Sequence, residues 1–268
     1  MFSVVIPAYN CEKTIVRVVD SVKNQTRKDL IEEIIIVNDG SIDNTDLVIK
    51  NYIEENKKLP IKYFSQTNHG VSYTRNFGIK LATAEWIALL DADDLWLPNK
   101  IERQYEIVKE KPEIVFLGSS YPLYKGFKKY TNGLYKLSAK ELCIRSVPVT
   151  PSVIFLKRVG VELGLFDENM RYSEDINFFQ KFLLRDSYYI LVENLVNCGI
   201  EKKFHAISGV SSNLRMMNRG RNKNIIELNK MKLISRPFLF LMLLFNTIKL
   251  LRREIIVIIN KLLLKGKK

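Results

Sequence analysis

Histidine is scarce: His69 and His205 are the only two in 268 residues. That count excludes histidine-rich metal sites and argues against a histidine-based catalytic triad. Cysteine is scarce too. Cys11, Cys143 and Cys198 are odd in number, far apart and form no Cys-x-x-Cys pair, so neither a disulfide framework nor a zinc site is indicated. Such usage fits a reducing compartment. The start, Met1-Phe2-Ser3-Val4-Val5-Ile6-Pro7, lacks a basic segment and has only a short apolar run, so no secretory signal is expected. The uninterrupted apolar run at 238–245 is too short to span a bilayer. No internal repeat and no low-complexity segment occurs.

What is present suits one large domain, or one domain with an extension. The apolar share of 47% is enough for a sizeable core. The net charge of +13 is unevenly placed. Residues 201–268 hold 16 Lys and Arg against 3 Asp and Glu, whereas residues 1–200 hold 26 of each. The whole surplus therefore lies in the last quarter of the chain. It points to an anionic partner surface, either a membrane leaflet or nucleic acid.

Hydrophobic periodicity orders the first hundred residues into alternating strands and helices. Strands are expected at 2–7, 33–37, 61–64 and 86–90, and helices at 12–24, 43–55 and 71–82. This β-α alternation implies a parallel sheet with helices on both faces. A helix at 99–109, a strand at 114–117, a possible hairpin within 119–137, a short helix at 138–145, and strands at 152–156 and 188–192 follow. A helix is expected at 176–184. Residues 214–232 are polar and basic, and 237–264 are apolar and helical in pattern.

Three acidic motifs fall where such a sheet brings strand ends to one edge, the edge at which open α/β sheets bind ligands. The first is Asp39 in Asn38-Asp39-Gly40-Ser41, which is also a turn signal. The second is Asp91-Ala92-Asp93-Asp94, directly after the apolar run Trp86–Leu90. Three adjacent carboxylates repel one another and lose hydration when partly buried. A divalent cation with oxygen ligands would relieve them; an acidic turn capping the next helix is the plainer alternative. The third is Glu174-Asp175, which also reads as an acidic helix start.

In this order and spacing the motifs resemble family 2 glycosyltransferases, inverting enzymes of the GT-A fold. The matching text is Ser3-Val4-Val5-Ile6-Pro7-Ala8-Tyr9-Asn10, Ile36-Val37-Asn38-Asp39-Gly40-Ser41, Asn68-His69-Gly70-Val71-Ser72 with Arg75-Asn76-Phe77-Gly78, Leu90-Asp91-Ala92-Asp93-Asp94, and Ser173-Glu174-Asp175. The resemblance spans about residues 2–185. It implies an α/β chain: a GT-A domain over 1–213 with a Rossmann-like, mostly parallel central sheet flanked by helices. Beyond it the family gives little guidance, and composition alone reads 214–268 as a basic, apolar helical extension.

The resemblance also implies a nucleotide-diphosphate-sugar donor, most often a UDP-sugar. Pro7, Ala8 and Tyr9 would line the base and ribose pocket, and Asp39 would accept from a ring nitrogen of the base. Asp91, Ala92 and Asp93 would form the Asp-x-Asp motif, with Asp93, aided by Asp91, holding Mn²⁺ or Mg²⁺ on the diphosphate. Arg75 would face the donor phosphates. Asp175 would be the catalytic base, with Glu174 orienting the acceptor or supporting it. His205, with Lys203 in place of the family's arginine, lies near where a diphosphate-side Arg-x-His-x-x-Ser segment is often found.

For the tail, Asn246, Lys249, Arg253 and Asn260 share one narrow helical face, with Leu, Ile and Phe elsewhere. An interfacial helix on an anionic membrane fits this composition, at the inner face of the cell membrane and on the cytoplasmic side. The acceptor would then be a lipid-linked or cell-surface glycan. The alternative is that the helix packs on the domain or on a second copy, giving an oligomer. Two further functional classes have their own requirements. A sugar nucleotidyltransferase would need a glycine- and lysine-rich phosphate loop, and none stands at 7–15. A nucleic-acid-binding protein would need exposed aromatics or a recognition motif in its basic tail, which is aliphatic instead. No nucleic-acid partner is therefore expected.

Overall fold

The computed structural model describes residues 1–120, 133–145, 147–198 and 213–265, the last eight of these by backbone alone. Its first half is β1 (Phe2–Ala8), α1 (Ile15–Lys23), β2 (Ile31–Asp39), α2 (Thr45–Glu55), β3 (Ile61–Gln66), α3 (Val71–Leu81) and β4 (Trp86–Leu89). β1, β2 and β4 are apolar on both faces because helices cover both, so Val4, Val5, Ile35, Ile36, Ile87 and Ala88 are all buried. α1 buries the expected stripe, Ile15, Val18, Val19 and Val22. It starts three residues later than periodicity suggests, because the Cys11 carbonyl accepts the N–H groups of both Thr14 and Ile15 and makes 11–14 a turn. α3 lies close on the sheet. A Cβ on Gly78 would come within 2.7 Å of a Val5 methyl carbon, so glycine there lets the helix seat.

The second half is β5 (Leu95–Trp96), α4 (Lys100–Glu110), β6 (Phe116–Ser120), β7 (Leu134–Lys136), α5 (Ala139–Ile144), β8 (Ile154–Leu156), α6 (Lys157–Glu162), α7 (Glu174–Gln180), β9 (Tyr189–Asn194), β10 (Val196–Asn197), α8 (Leu214–Lys230) and α9 (Arg236–Lys265). Among the described residues the main sheet has the order β3-β2-β1-β4-β8-β6-β9-β7. β1 pairs parallel with β2 and β4, β2 with β3, and β6 with β9. β8 runs antiparallel between β4 and β6, and β7 runs antiparallel on β9. The expected mostly parallel sheet is thus interrupted twice. β6 and β7 are not neighbours, since β9 lies between them, and the possible hairpin within 119–137 falls largely outside the described residues.

α7 is anchored by aromatics. Phe178, Phe179 and Phe182 pack with Phe116, Phe155 and Phe166, with ring centroids 4.5–6.2 Å apart. Each such buried ring contributes on the order of 1.5–3 kcal/mol. The expected helix at 176–184 begins at Glu174 and tightens into a 3₁₀ turn over Lys181–Arg185. α8 and α9 form a pair, and α8 also packs on α7.

Candidate active site

The C-terminal ends of β1, β2 and β4 form one edge, and the loops after them are tied together. After Ala8 the chain turns at Asn10, whose φ is +48°. Asn10 N–H donates to Ser41 Oγ at 3.0 Å, and Cys11 N–H donates to Thr45 Oγ1 at 2.8 Å. Thr14 Oγ1 donates to the Ala92 carbonyl at 2.6 Å, which fastens the first loop to the acidic turn. Pro7 is half-buried, Ala8 is buried, and the Tyr9 ring is 51% exposed at the rim.

Asp39 ends β2 and is buried. Its Oδ1 accepts from Gln66 Nε2 at 2.8 Å and from His69 N–H at 2.9 Å; its Oδ2 accepts from Gly70 N–H at 2.8 Å. A carboxylate has about four acceptor positions, so these three bonds leave one on Oδ2. Gly40, at φ +70°, keeps the turn tight: a Cβ there would lie 2.8 Å from Asn68 N. His69 serves this site through its backbone. Its ring is exposed, pairs with Thr67 Oγ1 at 3.0 Å and stacks on Tyr73 at 4.5 Å.

Asp91, Ala92 and Asp93 are half-buried in the turn after β4, closed by Asp94 N–H donating to the Asp91 carbonyl at 3.1 Å. Asp94 is buried at the start of the next strand. Arg75, on α3, joins this turn to α7. Its Nη2 donates to Asp91 Oδ1 at 2.6 Å and its Nη1 to Glu174 Oε1 at 3.2 Å. The guanidinium is buried, stands 5.3 Å from the Phe166 ring, and its Nε–H has no acceptor among the described residues. The positive partner that Asp91 needs is therefore Arg75. Among the described residues no three His, Cys, Asp or Glu side chains converge to hold a metal by themselves.

Glu174 and Asp175 open α7, and Asp175 Oδ1 accepts from Ile176 N–H at 2.7 Å. Burial, then the neighbouring Asp175 charge, push the Glu174 carboxyl up, and Arg75 pulls against both. Burial also raises Asp175; the Ile176 N–H and Arg75 oppose that rise, and Asp91 adds to it. Two adjacent carboxyls facing a third across one guanidinium hold their protons more tightly than free carboxylates.

A model of the family described as glycosyl transferase family 2 matches residues 3–154. The chain belongs to glycosyl transferase family 2.

Relatives in this family include a Rickettsia typhi protein named an uncharacterized glycosyltransferase, 34% identical over 211 residues, 73% of this chain and 63% of that one. Glycosyltransferase GlyG of Streptococcus pneumoniae serotype 4 is 26% identical over 73% of this chain and 69% of its own. The chain thus spans a little under two thirds of the Rickettsia relative. Among solved structures, a Pyrobaculum calidifontis mannosyltransferase in complex with GDP-Man and Mn²⁺ aligns with a TM-score of 0.68 at 16% identity, covering 93% of this chain and 69% of that one. S. aureus TarS in complex with UDP aligns at 0.64 and 19% identity, covering 90% and 69%. The fold is GT-A.

Other residues of this family 2 chain have structural roles. Trp96 is buried, donates from Nε1 to the Pro151 carbonyl at 2.8 Å, and carries the Lys100 ammonium 4.1 Å from its ring centroid. It covers the start of α4 and is closed to a sugar. Cys11 is a buried filler whose thiol is pushed up to about 11 by burial. Cys198 follows β10, which pairs with β5 just beyond the acidic turn; burial first, then Asp94, Asp91 and Asp93, raise its thiol. Lys203 and His205 lie outside the described residues. Sequence reasoning missed Gln66 as a partner of Asp39 and the two hydrogen bonds by which Arg75 joins Asp91 to Glu174. Gln66 ends a strand with nothing in its text to mark it, and the Arg75–Glu174 contact joins residues 99 positions apart.

Proposed function

We propose that the chain transfers a sugar, with inversion, from a nucleotide-diphosphate-sugar to a hydroxyl of a glycan or lipid-linked glycan. UDP is the favoured nucleotide. The observation that carries this reading is the Arg75 bridge: it brings the turn bearing Asp91 and the pair Glu174-Asp175 together at the edge where Asp39 ends β2. In this reading Pro7, Ala8 and Tyr9 border the base and ribose, and the open acceptor position of Asp39 Oδ2 takes a ring N–H of the base. Asp175 takes the proton of the attacking hydroxyl. A carboxylate is needed because that hydroxyl ionises far above neutrality. Attack from the face opposite the leaving group gives inversion without a covalent intermediate. Glu174, held by Arg75, supports Asp175.

A divalent ion fits the donor set. Asp93, with Asp91 beside it, offers carboxylate oxygens suited to Mn²⁺ or Mg²⁺, and such ions are commonly held by one or two carboxylates plus substrate phosphates. When bound, it supplies the positive charge that a departing diphosphate requires. The turn, held by Thr14 and Asp94, keeps the two carboxylates at the sheet edge where the phosphates lie in this reading. The test is a thermal-shift panel of nucleotide-sugars with Mn²⁺ and Mg²⁺ on wild type and Asp93→Ala. The wild type is expected to be stabilised by a UDP-sugar only with the ion present, and the variant to lose that shift. A chelator-insensitive shift retained by Asp93→Ala would contradict the assignment.

Membrane-surface placement is the second element of the proposal, and α9 supports it. Its polar side faces α8, where Asn246 Nδ2 donates to Asn222 Oδ1 at 2.9 Å and Arg215 pairs with Glu254 at 2.7 Å. Its apolar side is turned outward: Phe240 is 72% exposed, and Leu241, Leu244, Phe245, Ile248, Leu251 and Ile255 are also exposed. A continuous apolar face of this kind marks an interaction surface. The basic surplus around it suits anionic lipid. Among the described residues no helix is long and apolar enough to cross a membrane, so the helix would lie along the surface. Leu244→Asp/Ile248→Asp is expected to abolish co-sedimentation with vesicles containing phosphatidylglycerol. Undiminished sedimentation counts against this placement, and a dimer lost in the same variant assigns the face to a second copy.

A further inference from the structure

Glu174 and Asp175 are held from behind by α8, a helix beyond the 3–154 family match. Ser173, just before the pair, has φ +56° and ψ +31°, a left-handed conformation that costs a residue with a Cβ about 1–2 kcal/mol. Such a residue persists where its surroundings over-determine it. The Ser173 side chain makes no capping hydrogen bond to α7. The hold comes instead from Asn224, whose Nδ2 donates to the Ser173 carbonyl at 3.0 Å and whose Oδ1 accepts from Asn177 Nδ2 at 2.9 Å. Glu227 Oε2 accepts from the same Asn177 amide at 2.5 Å. Asn177 and Asn224 are 2% and 3% exposed. One turn before Asn224, a Cβ on Gly220 would fall 2.2 Å from the Tyr172 carbonyl oxygen. Glycine inside a helix costs up to about 1 kcal/mol against alanine, and buried amides cost more unless both ends are bonded. A helix that served only as a connector would have no use for either residue. Here they seat α8 against the backbone just before the acidic pair and hold the Asn177 side chain just after it.

We propose that Asn224 and Gly220 are positioning residues for sugar transfer: they lock the left-handed turn at Ser173 and so fix where Glu174 and Asp175 point. This rests on the transfer reading above. The test compares full-length wild type, Asn224→Asp and Gly220→Ala. Asn224→Asp keeps an acceptor for Asn177 but removes the donor to Ser173. Gly220→Ala adds a better helix former while displacing Tyr172. Hydrogen exchange at residues 172–178 needs no substrate. Turnover of UDP-glucose and UDP-N-acetylglucosamine with Mn²⁺, measured well below each melting temperature, separates kcat from donor KM. In both variants exchange at 172–178 is expected to rise, kcat to fall about 10-fold or more, and donor KM to stay within about 3-fold, since misplacing a reacting group costs rate rather than ground-state binding. Exchange equal to wild type in both variants overturns the proposal. So does faster exchange with kcat unchanged, or a loss confined to KM. A wild-type chain inert toward every nucleotide-sugar removes the transfer reading by itself, and faster exchange at 172–178 in both variants then still supports the tether.

Discussion

Asp175→Asn is expected to lower sugar transfer by about 10²–10⁴-fold while leaving nucleotide binding intact, because it removes the proton acceptor and little of the volume. The two effects separate in a steady-state assay run beside a nucleotide titration. Loss of nucleotide affinity in parallel with rate would place Asp175 in the donor site instead. The same residue sets the direction of the pH response. Burial, and with it the Asp91 charge, raises its carboxyl, against the Ile176 N–H and Arg75. The base must be ionised to act, so activity rises with pH along a limb displaced above the usual carboxylate range. Stability runs the other way. A carboxyl whose folded-state pKa is raised favours the fold most below its unfolded pKa, and that contribution is lost as pH climbs through the folded value. An acid limb at the position of a free aspartate would contradict this environment.

Arg75→Ala is expected to give the largest loss of stability, about 3–5 kcal/mol, because it leaves Asp91 and Glu174 partly buried without their shared counter-charge. A denaturant melt reads this directly. Arg75→Lys should recover little, since a single ammonium cannot hold two carboxylates in the fork geometry that Nη1 and Nη2 provide. Glu174→Gln relieves part of the repulsion, so its melting temperature should lie well above that of Arg75→Ala. Equal stability of Arg75→Ala and wild type would mean that the bridge is not formed in solution.

The N-terminal half was legible in the sequence because its signals are local. Apolar runs of four or five residues ending in Asp39 or Asp91 give both the strand and its functional end, and α1 buries the stripe that its spacing marks. The second half was less legible because its partners are distant. β8 is three residues long and takes its antiparallel place from β4 and β6 rather than from its own composition. α8 carries only Gly220, Asn224, Ile225 and Leu228 as buried positions, too mixed a stripe to stand out in a basic segment. In the tail, helical spacing found the polar face of α9 but not its direction. Asn246 of that face is turned inward because α8 offers Asn222 as a partner, while Arg253 stays exposed, a division visible only once both helices are placed. For Asp91 the sequence posed the question of a positive partner, and only the folded chain supplies Arg75.

Arg75 closes its first contact across 16 residues and its second across 99. At a synthesis rate of about 5–20 residues per second, the second carboxylate leaves the ribosome roughly 5–20 s after the arginine. During that interval the nascent βαβ unit already has its first two acidic motifs, and the guanidinium has one of its two anions. Completion of the charge cluster is therefore a late folding event. It reports that the C-terminal half has docked.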